Sequence, residues 1–136
     1  MSMNIGSPEE DGSESPMTQS PSNWPPQLDA LIAAGDHHRS LLENESVRVL
    51  ETCIEPGETV PLHTHRWPAV YYVLSVSDFV RRDERGDVVL DTRDSETKLQ
   101  VGQALWGSAL GPHTLENVGS EPLRMISVEV KGAPAP

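Results

Sequence analysis

From Val47 to Lys131 the chain is built from short runs of period two, and few folds accept that pattern. Val47, Val49 and Glu51 alternate with Arg48, Leu50 and Thr52, then Glu55-Pro56-Gly57 breaks the run as a turn. Runs rich in Val, Leu, Tyr and Ile follow at Ala69 to Val76, Phe79 to Arg82, Val88 to Asp91, Ala104 to Trp106 and Leu123 to Lys131. Phe79 to Arg82 and Val88 to Asp91 flank Asp83-Glu84-Arg85-Gly86-Asp87, where Gly86 supplies the positive φ of a short hairpin with a bulge. Short antiparallel strands without a second helical pattern predict an all-β sandwich or a small barrel such as a jelly roll.

The N-terminal part reads differently. Residues 1–23 are Ser, Pro, Gly, Asn and acid with almost no large aliphatic side chains, so they form an acidic, flexible tail that cannot bury enough surface to offset its ordering entropy. A short helix is expected over residues 24–36. Pro25 and Pro26 suit its first turn, Leu28, Leu31 and Ile32 share a face, and Gly35 is placed to end it in a left-handed conformation. The barrel occupies residues 37–131, with a C-terminal tail at 132–136.

Ten basic against 21 acidic residues give a net charge of -11, which repels phosphate backbones and anionic lipid. Nucleic acid and membrane are therefore excluded as partners. No apolar run approaches the roughly 20 residues needed to span a bilayer, and no basic-then-apolar signal pattern opens the chain. Cys53 is the only cysteine, which rules out an intrachain disulfide and agrees with a reducing, cytoplasmic setting.

His63 and His65 form His-Thr-His, and in an extended strand residues i and i+2 face the same side, so two imidazoles can converge on one metal. The stretch Gly57-Glu-Thr-Val-Pro-Leu-His63-Thr-His65 resembles the first motif of the cupin superfamily, a glycine, five residues, His-x-His and then a glutamate. Gly102 to Asn117 resembles the second cupin motif at every interval, with His113 at its histidine and Asn117 four residues on. The resemblance runs from about His38 to Lys131. It implies a double-stranded β-helix, a homodimer, and a divalent transition metal (Fe, Zn, Ni, Mn or Co) on His63, His65 and His113.

The chain also departs from the motifs. Ala69 stands where the family's glutamate ligand falls, Val76 replaces a glycine, Ser108 a proline and Leu110 a glycine. Three neutral imidazoles still suffice for a divalent ion and leave positions open. Without a ligand carboxylate the ion keeps its full charge and favours a small anionic or enolisable ligand. Among cupins, three-histidine sites occur in iron or nickel dioxygenases, so the resemblance admits a dioxygenase-type oxidoreductase acting on a small organic acid or enol. Two readings compete with it: a non-catalytic ligand-binding or regulatory cupin whose histidines only pack the barrel mouth, and a zinc-dependent hydrolase or isomerase. Metal binding should weaken below about pH 6, where imidazole protonates.

If Ala69 faces inward, alternation sends Tyr71 inward as well, a phenol able to hydrogen-bond a bound oxygen and the candidate catalytic residue. Trp67, Ala69 and Trp106 are candidate walls of the substrate pocket. His37 and His38 fall outside both motifs and read as exposed or capping residues. Asn117 reads as a loop anchor and Cys53 as a buried hydrophobe.

Overall fold

Alternation along the strands sorts the side chains into an inner and an outer set. A computed structural model describes residues 20–96 and 98–132. Among them the strands are β1 (His38–Glu43), β2 (Val47–Ile54), β3 (Thr59–His65), β4 (Ala69–Ser75), β5 (Phe79–Asp83), β6 (Val88–Asp91), β7 (Ala104–Gly107), β8 (Leu110–Asn117) and β9 (Leu123–Val130). They form two antiparallel sheets, ordered β1-β2-β9-β4-β7 and β3-β8-β5-β6. This is the expected jelly-roll barrel. On β4, Ala69, Tyr71 and Val73 point inward; on β9, Leu123, Met125, Ser127 and Glu129 do. Ile54, Val60, Phe79 and Leu105 complete the apolar centre.

The hairpin joining β5 and β6 closes as expected, with Gly86 at φ 89° and a register shift between Arg81 and Arg82. Asp83 Oδ1 accepts the backbone N–H groups of Arg85 and Asp87 at 2.9 and 3.0 Å and so sets the turn. β1 and β8 had no strand-like signature. The outer residues of β1 are exposed on both faces, so it shows no alternation, and β8 carries Gly111 and Pro112 within a run that is buried throughout its first half.

The expected helix over 24–36 is corrected. A 3-10 turn at Pro26–Leu28 precedes α1, which covers only Ala30–Ala33. Asp29 divides the two because it is extended, at φ -53° and ψ 142°, and caps α1 by accepting from the Leu31 N–H. Gly35 does not take a positive φ, and the helix ends through Ala34. Residues 1–19 of the expected tail lie outside the described residues.

Asn117, at the end of β8, ties three loops together. Its Nδ2 donates to the Ile54 and Glu121 carbonyls at 2.8 Å each, and its Oδ1 accepts from Ser77 Oγ at 2.7 Å and Gly119 N–H at 3.0 Å. Asn117→Ala leaves these buried groups unmatched and is expected to cost about 3 kcal/mol. Urea denaturation checks this; a loss below about 0.5 kcal/mol would mean the anchor is redundant.

Candidate metal centre

His63 and His65 leave β3 on its inner side, and His113 on β8 lies directly opposite His63 in the strand register. His38 enters from the start of β1. Ring centroids are 5.0 Å apart for His38 and His63, 5.1 Å for His38 and His65, and 5.0 Å for His63 and His65. His113 stands 4.2 Å from His63, its ring tilted by 50°, and 6.0 Å from His65. The residues whose donor nitrogens all fall within 4.8 Å of one another are His38, His63 and His65. The tight triangle thus contains two of the three expected ligands plus a histidine that the sequence reading set aside, while His113 adjoins it.

His38 does make the expected capping bond, since its Nδ1 meets the Ala34 carbonyl at 3.0 Å, and that bond aims its ring into the barrel. The N-terminal segment reaches this position by packing α1 on β3, with Asp29 bridging to Thr64. Each of the other rings is held in the same way. Nδ1 of His63 meets Pro61 O at 2.7 Å, Nδ1 of His113 meets Gly111 O at 2.6 Å, and Nδ1 of His65 meets Glu129 Oε2 at 2.7 Å. Carbonyl and carboxylate oxygens only accept, so Nδ1 carries the hydrogen, and in a neutral ring the lone pair is then on Nε2. Four fixed tautomers therefore offer Nε2, and this donor chemistry fits a divalent transition metal.

The carboxylate behind His65 belongs to a buried chain of charges. Arg48 donates from Nε to Glu129 Oε1 at 2.6 Å and through its terminal nitrogens to both Asp29 oxygens at 2.9 and 3.1 Å. Arg48 is 4 % exposed and Glu129 1 %. Burial raises the pKa of Glu129, but the His65 and Arg48 hydrogen bonds outweigh it and hold the carboxyl below its ordinary value. Glu129 pairs with Ala69 in the β4–β9 register, so the strand beside the position lacking the family's glutamate supplies a carboxylate that bonds to a ligand candidate.

Beside the histidines lies a cavity of about 60 Å³ with mainly apolar walls, including Ile54, Val60 and Phe79, and with Tyr71 and Arg81 also lining it. The Tyr71 hydroxyl is buried and bonds to no protein group, which costs about 1–3 kcal/mol. Arg81 is 4 % exposed; burial pulls it down to about 10, so it is charged at neutral pH.

Other candidates fall elsewhere. Trp106 is 45 % exposed, because the inward phase of β7 belongs to Leu105 and Gly107. Trp67 follows β3 and carries the Arg48 guanidinium 5.0 Å and Lys131 Nζ 5.2 Å from its ring centroid, away from the cavity lining. Ala69 points inward into the apolar core, but is not among the residues lining the cavity. His37 bonds to Cys53 O at 3.3 Å, outside the triangle. Cys53 is half-buried with its thiol pushed up, first by burial and then by Glu55.

Burial, reinforced by His65, pushes His38 down to about 4 from 6.5. His63 and His113 lie well below the ordinary histidine range, again first through burial, with His113 and Arg81 respectively adding to it. Between pH 6.5 and the lowered values the unfolded chain binds more protons than the folded one, so stability falls as pH drops through that window. For His38 the window runs from 6.5 to about 4. The slope reaches about 1.4 kcal/mol per pH unit for each such histidine. Urea midpoints of metal-free protein should fall steadily from pH 7 to pH 5, and a flat profile would contradict buried neutral rings. The same burial carries proton competition for a metal below the pH 6 expected of free imidazole.

A jelly-roll barrel with a histidine cluster inside it defines the class. The sequence profile of the cupin domain family matches residues 50–129, and the chain belongs to that family. No curated protein matches it. A cupin domain from Bordetella pertussis Tohama I is similar at TM-score 0.58 and 18 % identity, covering 70 % of this chain and 92 % of that one. An uncharacterized conserved protein with a double-stranded β-helix domain from Klebsiella pneumoniae gives 0.49 and 21 %, covering 90 % and 95 %. An RmlC-like cupin family protein from Methanocaldococcus jannaschii gives 0.49 and 14 %, covering 68 % and 77 %. Among the described residues no helix is long and apolar enough to cross a membrane.

Proposed function

We propose that this cupin holds a divalent transition metal through His38, His63 and His65, with His113 beside them, and acts as a dioxygenase-type oxidoreductase on a small organic acid or enol. The observation that carries this reading is the shared tautomer: each ring spends Nδ1 on an oxygen acceptor and has Nε2 to offer. Such an ion, when bound, supplies Lewis-acid polarisation of an enol or carboxylate oxygen and the electrons for dioxygen chemistry.

The chain's own residues do the rest. Glu129 fixes the His65 ring and strengthens it as a donor. Ile54, Val60 and Phe79 give the cavity beside the histidines an apolar wall on which the carbon body of a small ligand can lie. Elemental analysis of protein purified without added metal, followed by oxygen uptake with a panel of short acids and diketones, tests the proposal. About one equivalent of Fe, Ni, Mn or Co together with oxygen uptake is expected. Zinc alone with no uptake would favour the hydrolytic reading, and a metal-free protein that binds acids would favour a ligand-binding role.

A further inference from the structure

An antiparallel sheet that packs one face on a core turns polar side chains to water on the other. The outer face of the β1-β2-β9-β4-β7 sheet departs from that rule. Leu42 pairs with Val49, Val49 with Val128, Val128 with Val70 and Val70 with Trp106, so one apolar side chain from each of the five strands stands in a single row. Cross-strand partners share a side, and Val49, Val70, Trp106 and Val128 alternate with buried neighbours, so the row faces outward. The rows on either side add Ile126 beside Tyr72 and Val47 beside Val130. Leu42 is 51 % exposed, Trp106 45 % and Val70 37 %. A single exposed apolar residue is ordinary, and Val88 on β6 of the other sheet is one such case. A contiguous apolar row across a whole sheet marks a surface that another molecule covers.

Charge narrows what that molecule is. Two copies of a chain with net charge -11 repel wherever their acids meet. On the outer side of this sheet the charged strand residues are Arg39, Glu51 and Arg124, and both guanidiniums bond to the one carboxylate at 2.6 and 2.9 Å. Two cations against one anion leave the face close to neutral, so a second copy can approach here without that repulsion, and the face lacks the positive field that would select an acidic partner. We propose that a second copy of this chain covers the face, the two sheets stacking outer side to outer side in a two-fold dimer. Four strand spacings of about 4.8 Å and three two-residue steps of about 6.6 Å make the face roughly 19 by 20 Å, at the small end of specific interfaces, so association is micromolar. The histidines face the inside of the barrel, so the dimer stands or falls independently of the metal.

Sedimentation equilibrium of the full chain, from about 1 to about 200 µM, tests the proposal. A monomer–dimer equilibrium with a dissociation constant of roughly 1–50 µM is expected. Val70→Glu should raise that constant at least tenfold, because the dimer would bury a carboxylate against apolar side chains. Trp106→Ser should raise it about threefold or more by removing the largest side chain of the row. Val88→Glu adds the same charge away from the face and should change nothing. Far-UV circular dichroism shows which variants keep the fold, and where Val70→Glu does not, Trp106→Ser decides. Raising sodium chloride to about 1 M should leave the dimer as tight or tighter, since salt screens the repulsion between two acidic chains. A wild type that stays monomeric at the highest concentration overturns the proposal and leaves the face to an unlike partner. A dimer untouched by Val70→Glu and Trp106→Ser, or weakened equally by Val88→Glu, places the interface elsewhere and overturns it too. So does a dimer that salt dissociates, since ion pairs and not the apolar row would then hold it.

Discussion

Arg48→Ala is expected to lower the stability of the folded protein by about 3–5 kcal/mol, enough to unfold much of it near its working temperature. The side chain lies between two acids, with three hydrogen bonds of 2.6 to 3.1 Å to Glu129 and Asp29. Its removal leaves Glu129, 1 % exposed, without its cation, and frees the Asp29 segment that carries α1 and leads to His38. Urea denaturation measures the loss. Arg39→Ala is the control, because Arg39 makes an equally short 2.6 Å bond to Glu51 but sits in solvent, where ion pairs contribute little. Equal effects from the two substitutions would show that the buried chain of charges does not hold the N-terminal segment in place.

His63→Ala is expected to reduce bound metal from about one equivalent per chain to under a tenth. His63 is central to the cluster, lying 5.0 Å from both His38 and His65 and 4.2 Å from His113 by ring centroid. Its loss leaves only the His38–His65 and His65–His113 pairings, at 5.1 and 6.0 Å. Elemental analysis after dialysis gives the stoichiometry, and a His63→Ala protein that retains metal like the wild type contradicts the site.

The sequence made His63 and His65 legible because residues two apart on a strand share a face, and their spacing from Gly57 matched a known motif. His38 gave no such signal. Its strand β1 has no alternation, and its place beside His63 depends on the N-terminal segment folding across β3. Arg48 and Glu129 share the inward phase of their strands with Leu50 and Met125, but they lie 81 positions apart, and only strand register shows them facing. Trp106 misled because closeness in sequence to His113 says nothing about phase; one residue's offset from Leu105 turns it outward. The helix was overextended because Asp29 leaves helical geometry, capping α1 and bonding to Arg48 instead of continuing the helix.

Zinc or cobalt titration of metal-free wild type, His38→Ala and His37→Ala tests whether His38 completes the metal triangle. The two histidines are adjacent in sequence, yet only His38 has its nitrogen within 4.8 Å of those of His63 and His65. One site is expected in the wild type, with affinity lower by about a hundredfold in His38→Ala and no change in His37→Ala. A His38→Ala protein that binds metal as tightly as the wild type would contradict it and return the third ligand position to His113.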